Sequence, residues 1–291
     1  MTNKIRKAIF PAAGMGTRFL PATKASPKEM LPLVDKPLIQ YVVEEAVASG
    51  VDSVLIVTGR DKSAIENHFD ISFELEYLLK ERGNDEVLEE IRAISEMARI
   101  SYTRQKEALG LGHAIYQGKD FAGNDPVAVL LADDIVISEK PALQQMTEVF
   151  EKYDAPVIAT MQVEGEGISR FGVIDAEEVE PGVFRVLDMV EKPAFADAPS
   201  DLAIIGRYIF TPDIFDAIEQ TEPGSGGEIQ ITDAMRLLLK ERPIYALKLE
   251  GRRHDAGDKL GFLIATIELA LMRPDLAEDL RSYMRSLDLD G

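Results

Sequence analysis

Between positions 12 and 18 the chain reads Ala12, Ala13, Gly14, Met15, Gly16, Thr17, Arg18, directly after a short apolar run. Glycines in a turn that follows a strand leave backbone N–H groups facing outward, so a phosphate can approach them closely. Arg18 adds a cation at the same place. Alone, a Gly-x-Gly turn fits a plain tight turn as well as a phosphate site. A dinucleotide fingerprint would need Gly or Ala where Phe19 stands, and an acid where Thr58 and Gly59 end the second strand. A P-loop would end in Gly-Lys-Ser/Thr, which this turn lacks. Lys28, bracketed by Pro27 and Pro32, reads by itself as a solvated charge. Beside Gly14, Gly16 and Arg18 it reads as a second phosphate cation. Asp133 and Asp134 follow the apolar run 127–132, at the carboxyl end of a strand, where open α/β sheets keep their ligand crevice.

The elements that must position these groups follow from periodicity. Residues 8–13 read as a first strand and Ser53–Thr58 as a second. Between them Leu38, Val42, Ala46 and Val47 mark a helix with Pro37 in front and Gly50 behind. A short helix is expected over 61–69 and a longer acidic one over 84–98, strands over 100–104 and 127–132, and a helix from 112. Continuous apolar strands separated by helices imply a parallel sheet covered on both faces. After residue 155, strands at 156–163, 172–175, 183–190 and 202–210 follow one another without long helices, which implies a mixed or antiparallel extension. Helices return at 212–218, 232–240, Lys259–Met272 and 274–286.

Composition narrows the function classes. There are 32 basic and 51 acidic residues, a net charge of −19, three histidines and no cysteine. The absence of cysteine excludes disulfides, thiol nucleophiles and cysteine-held metals. Such acidity speaks against nucleic acid as a partner, because phosphate backbones need a basic face. An anionic substrate needs a few cations gathered at one place. No stretch approaches the roughly 20 apolar residues of a membrane span, and nothing near the start resembles a signal peptide. A cytoplasmic protein without membrane contact is expected.

As an ordered set, Gly14–Arg18, Lys28 in its proline-flanked segment and Asp35-Lys36-Pro37 resemble the signature of sugar-nucleotide pyrophosphorylases, with matches running from residue 5 to about 272. The wording Lys-Glu-Met-Leu-Pro and the 70–98 segment favour the uridylyl-transferring branch. The resemblance implies an α/β, Rossmann-like nucleotidyltransferase fold with a mostly parallel central sheet, a mixed second half and C-terminal helices. It implies one domain over 1–291, comprising a nucleotide-binding half (1–155) with a helical insertion at 70–98, a sugar-binding half (156–258) and terminal helices (259–291). The implied reaction joins UTP to glucose 1-phosphate and gives UDP-glucose and pyrophosphate, with Mg2+ as cofactor.

Carried over residue by residue, the resemblance gives Arg18, Lys28 and Lys192 the catalytic roles. Ala12, Ala13, Gly14, Gly16, Thr17, Gln105, Gly110 and Asp133 would bind nucleotide, with Gln105 and Gly110 reading uracil. An amide donates and accepts at once, as a uracil edge requires. Gly172, Glu191, Lys192 and Gly206 would bind the sugar phosphate. Asp133 and Asp255 would hold the metal, since hard Mg2+ prefers carboxylate oxygen. Asp258 is the alternative to Asp255, although it also suits a helix N-cap. Asp134 is either in support of the metal site or solvated. His113 reads as a helix-start hydrogen bonder, and Thr232 or Asp233 as a helix cap. The alternatives are a dTTP-using thymidylyltransferase, a nicotinamide dehydrogenase, disfavoured by Phe19, and a non-catalytic sugar-nucleotide sensor. The amphipathic C-terminal helices imply a homo-dimer or homo-tetramer.

Overall fold

In the computed structural model, which describes residues 4–288, the apolar runs become strands of one nine-stranded sheet. β1 (Lys7–Ala12) ends at the glycine turn, and the short strands β2 (Pro32–Leu33) and β3 (Lys36–Pro37) lead into α1 (Leu38–Ala48). Pro37 stands directly before α1, and Gly50, at φ +97°, turns the chain after it. Next come β4 (Ser53–Thr58), α2 (Ser63–Phe69), α3 (Phe73–Glu81), α4 (Asp85–Glu96) and β5 (Arg99–Arg104). They are followed by α5 (Leu111–Tyr116), α6 (Lys119–Ala122), β6 (Val127–Leu130) and β7 (Asp134–Ile137). The second half holds α7 (Ala142–Tyr153), β8 (Val157–Gln162), β9 (Gly172–Glu180), β10 (Val183–Glu191), β11 (Leu202–Phe210), α8 (Asp213–Glu219) and α9 (Ile231–Leu238). It closes with β12 (Tyr245–Lys248), β13 (Arg252–Asp255), α10 (Lys259–Met272) and α11 (Ala277–Ser286).

The sheet order is β5-β4-β1-β6-β11-β8-β12-β10-β9. β5, β4, β1 and β6 run parallel, as their helical crossovers require. β11 then runs antiparallel to both β6 and β8, and β10 antiparallel to β12 and β9, with only β8 and β12 parallel. The expected mostly parallel sheet therefore holds for one half, and the whole sheet is mixed. The cause is local: β9 and β10 are joined by Pro181 and Gly182 alone, and a connection that short permits only an antiparallel pair.

Side chains alternate across β1, so Phe10 packs with Leu38, Val42 and Phe150 on one face while Ile9 packs with Ile115, Phe210 and Phe215 on the other. Every residue of β11 is buried, which makes it the strand around which both layers close. β7 and β13 form a separate two-stranded ladder, with Asp134 opposite Asp255 and Ile135 opposite His254. Neither strand is foreseen in the sequence; Arg252-Arg253-His254-Asp255 carries no apolar alternation, and Asp134–Ile137 directly follows the apolar run 127–132. α10 leaves Leu260, Leu263 and Ile264 exposed. Among the described residues, no helix is long and apolar enough to cross a membrane.

Candidate active site

The site starts where β1 ends. Gly16 has φ +64°, and a Cβ there would sit 3.1 Å from Lys28 Cβ and 3.3 Å from Thr23 Cγ2. The turn therefore demands glycine twice, for its backbone angle and for the lysine stem packed against it. Thr23 Oγ1 donates to the Gly16 carbonyl at 2.8 Å and ties the turn to the following segment. Ala12 is buried at the end of β1, and Ala13 packs under Gly59, whose Cβ would lie 2.8 Å from the Ala13 carbonyl oxygen. Thr17 opens the short 3-10 turn that carries Arg18, and an Arg18 guanidinium nitrogen lies 3.4 Å from the Gly257 carbonyl.

Lys28 heads another 3-10 turn, Lys28–Met30, and its Nζ reaches Asp133 Oδ2 at 2.5 Å. The residue after it, Glu29, is buried and paired with buried Lys62 at 2.6 Å. That pair ties the lysine-bearing turn to the loop after β4, a tie that no sequence pattern signals.

Asp133 lies between β6 and β7 and Asp255 ends β13, so the β7–β13 ladder brings the two together. Both carboxylates converge on Gly257: a Cβ there would lie 3.0 Å from Asp133 Oδ2 and 3.0 Å from Asp255 Oδ1. The Gly257 N–H donates to Asp255 Oδ1 at 3.0 Å, and the Ala256 N–H to the Asp133 carbonyl at 2.8 Å. Burial opposes ionisation of Asp133, but the Lys28 ammonium and its hydrogen bond outweigh it and hold the carboxyl below its usual range. Among the described residues no three acidic or histidine side chains gather into a metal cage. Two hard carboxylates beside a glycine gap nevertheless fit a small divalent ion that takes its other ligands from water and phosphate.

The neighbouring acids are committed elsewhere. Asp134 is buried; its Oδ2 accepts the Gly206 N–H at 2.8 Å and its Oδ1 accepts Arg253 Nε at 2.6 Å. A solvated Asp134 is thereby excluded. Asp258 caps α10, accepting the Gly261 N–H at 2.9 Å, and pairs with Arg170 at 2.8 Å. Beneath them Arg207 is fully buried and spends all its donors: two on Glu45, the others on the carbonyls of Leu131, Gly206 and Asp134. Gly206 itself gives its N–H to Asp134 and its carbonyl to Leu131, so its backbone is occupied within the protein.

Gln105 follows β5 and donates to the Gly110 carbonyl at 3.1 Å. Gly110 has φ +97°, and a Cβ there would press on Glu228 at 2.7 Å. His113 stands between the Gln105 and Gln117 amides at 3.0 and 3.2 Å, a hydrogen-bonding position. Gln105, Ala13, Met15, Gly59 and Lys106 line a cavity of about 380 Å³ next to the glycine turn.

Glu191 ends β10 and Lys192 follows it with φ +45°. Thr232 Oγ1 donates to Glu191 Oε2 at 2.6 Å, and Lys192 Nζ lies 3.1 Å from Glu191 Oε1. Thr232 therefore orients Glu191 and does not cap α9, whose cap position is Gln230. A Cβ on Gly172 would approach Thr232 Oγ1 at 3.1 Å and Glu191 Oε2 at 3.2 Å. Glu191 and Lys192 open on a cavity of about 450 Å³ with Gln230, Asp233 and Arg236. A larger cavity, about 800 Å³, lies away from these residues, and its Lys152 and Lys248 are already engaged by Glu180 and Gln162.

Comparison with known proteins gives the family. Residues 7–269 match the family described as Nucleotidyl transferase. A UTP–glucose-1-phosphate uridylyltransferase of Bacillus subtilis is 50% identical over 287 residues, covering 99% of this chain and 97% of that protein. A crystal structure of UDP-glucose pyrophosphorylase complexed with UDP-glucose superposes with a TM-score of 0.85 at 49% identity, covering 92% of this chain and 100% of that one. A UTP-bound UDP-glucose pyrophosphorylase from Acinetobacter baumannii gives a TM-score of 0.91 at 36% identity, covering 98% of this chain and 100% of that one.

Proposed function

The chain belongs to the nucleotidyl transferase family, and on that premise we propose that it transfers the uridylyl group of UTP to α-D-glucose 1-phosphate, releasing pyrophosphate and forming UDP-glucose. The observation that carries the reading is the meeting of Lys28, Asp133 and Asp255 beside the glycine turn.

The chemistry is an in-line attack of a sugar-phosphate oxygen on the α-phosphorus of the nucleotide. A phosphate monoester has a second pKa of about 6, so this nucleophile is already anionic at neutral pH and needs no general base. The task left to the protein is to bring two polyanions together and to stabilise charge on the leaving pyrophosphate. The Gly14–Arg18 turn offers its N–H groups and a guanidinium to the triphosphate, with Lys28 rising from below. Asp133 and Asp255 would hold a divalent ion, which we read as Mg2+, to neutralise phosphate charge as the bond to the leaving group breaks. Gln105, which lines the cavity beside the turn, would offer its amide to the base, and Gly110, whose carbonyl accepts from Gln105, would supply a backbone edge. Glu191 accepts from sugar hydroxyls in an orientation fixed by Thr232, and Lys192 supplies the cation for the sugar phosphate. In the same reading residues 1–155 form the nucleotide-binding half of a Rossmann-like fold, 156–258 the sugar-binding half, and the apolar face of α10 joins two copies of the chain in the cytoplasm.

The test is pyrophosphate release from each nucleoside triphosphate in turn with glucose 1-phosphate and Mg2+. Release with UTP far above the others is expected. Release with dTTP alone would replace the uridylyl reading by a thymidylyl one, and no release from any nucleotide would overturn the transferase reading.

A further inference from the structure

Arg253 belongs to none of the expected sites, yet its guanidinium touches what leads to two of them. It lies on β13 with 15% of its side chain exposed. Its Nε donates to Asp134 Oδ1 at 2.6 Å, and a terminal nitrogen lies 3.5 Å from Asp255 Oδ2. Its other terminal nitrogen lies 3.8 Å from Met161 Sδ. The central carbon of the guanidinium lies over the Phe171 ring, 5.3 Å from its centroid. The Phe171 carbonyl in turn accepts the backbone N–H of Lys192 at 3.0 Å.

Lys192 needs that support. Its φ of +45° is left-handed, a conformation that costs a side-chain-bearing residue and persists only where the surroundings enforce it. The bond to Phe171 is one such restraint, and Phe171 rests on Arg253. On the other side, Asp134 has one carboxylate oxygen on Gly206 and the other on Arg253, so it is a fixed anchor. The guanidinium spans from that anchor to Asp255.

We propose that Arg253 is a positioning residue that couples the two substrate sites, orienting the Asp255 carboxylate through one edge and holding the Phe171–Lys192 segment through its face. The proposal rests on the reading of Asp255 toward a divalent ion and Lys192 toward the sugar phosphate. A planar fork can serve all three contacts at once, whereas an ammonium on a flexible stem can keep the Asp134 pair but not the stacking.

The discriminating variants are Arg253→Lys, which keeps the charge, and Phe171→Leu, which removes only the ring. For Arg253→Lys we expect the KM for glucose 1-phosphate to rise and the affinity for Mn2+ alone, read by electron paramagnetic resonance, to fall, each about tenfold, while the KM for UTP stays within twofold. Phe171→Leu is expected to raise the KM for glucose 1-phosphate and to leave Mn2+ affinity unchanged. If Arg253→Lys folds and alters neither quantity, or lowers only the thermal midpoint, Arg253 merely neutralises Asp134 and the proposal is overturned. Should Arg253→Lys fail to fold, an unchanged glucose 1-phosphate KM in Phe171→Leu overturns it. A wild-type protein that neither binds Mn2+ nor releases pyrophosphate sinks the underlying reading, and that failure is distinct because it needs no mutation.

Discussion

Lys28 and Lys192 are both assigned to phosphates, yet the protein holds them in opposite ways. Lys28 has 24% of its side chain exposed, sits 2.5 Å from Asp133 and rises from a turn locked by the buried Glu29–Lys62 pair. Lys192 has 58% of its side chain exposed, and among the described residues its ammonium pairs with its neighbour Glu191, at 3.1 Å. Around Lys28, Asp134 is held by Arg253 and Gly206, and Glu45 by Arg207 under the sheet end. Around Lys192 the walls are the end of β10, the loop before α9, and Asp233 and the exposed Arg236 of that helix. The contrast matches the two tasks. Charge develops at the triphosphate, where dipoles fixed in advance need no reorganisation during reaction. At the sugar phosphate the requirement is capture, and an open, incompletely paired cation suits a ligand that completes the site on arrival.

The largest effect expected from breaking this contrast is on stability. Arg207→Met leaves Glu45 buried without its partner and frees the carbonyls of Leu131, Gly206 and Asp134, so urea unfolding is expected to lose about 3–5 kcal/mol. A loss well under 1 kcal/mol would mean that the region beneath Asp133 is not held by this network.

Next in size is Asp133→Asn. The amide keeps the shape but gives up the charge that faces Lys28 and, on the proposed reading, a divalent ion. Pyrophosphate release is expected to fall on the order of 10³-fold with the fold intact by circular dichroism. Activity within tenfold of wild type would remove Asp133 from the chemistry. Lys192→Ala is expected to be milder and one-sided, lowering kcat/KM for glucose 1-phosphate by about 10- to 100-fold while UTP binding by calorimetry stays within twofold. Equal losses for both substrates would erase the distinction between the two lysines.

The same contrast separates what could be read in the sequence from what could not. The glycine turn is legible because a local backbone requirement and a local side-chain pattern coincide at Gly14–Arg18. Helix α1 is legible for the same reason, with Pro37 and Gly50 as its punctuation. The supports are not local. Arg207 lies in an apolar strand, and nothing in its neighbours says that Glu45, far back in the chain, will meet it. Thr232 looks like a helix cap and instead serves Glu191 at the end of β10. β13 is polar throughout and pairs with the edge that β7 offers. Sheet direction is legible where connections are: helical crossovers mark the parallel half, and strands that follow one another without long helices mark the antiparallel extension that β9 and β10 begin at Pro181-Gly182.

The smallest effect expected lies at the rim, and it sharpens the comparison from the other side. Asp188 and Arg236 form a two-bond pair at 2.7 Å beside the cavity that holds Lys192, with 44% and 54% of their side chains exposed. The hydrogen bonds from Arg236 hold the Asp188 carboxyl below its usual range. A depressed carboxyl stabilises above its unfolded pKa, and that contribution disappears as pH falls through the depressed value. Solvent screens so exposed a pair, so Asp188→Asn is expected to cost less than about 1 kcal/mol at neutral pH. The gap from wild type should narrow further as the buffer is acidified below the carboxylate range, or as salt is added. A cost comparable to that of Arg207→Met, insensitive to salt, would show that the rim is as rigidly braced as the region under Asp133, and the openness assigned to the Lys192 side would then be wrong.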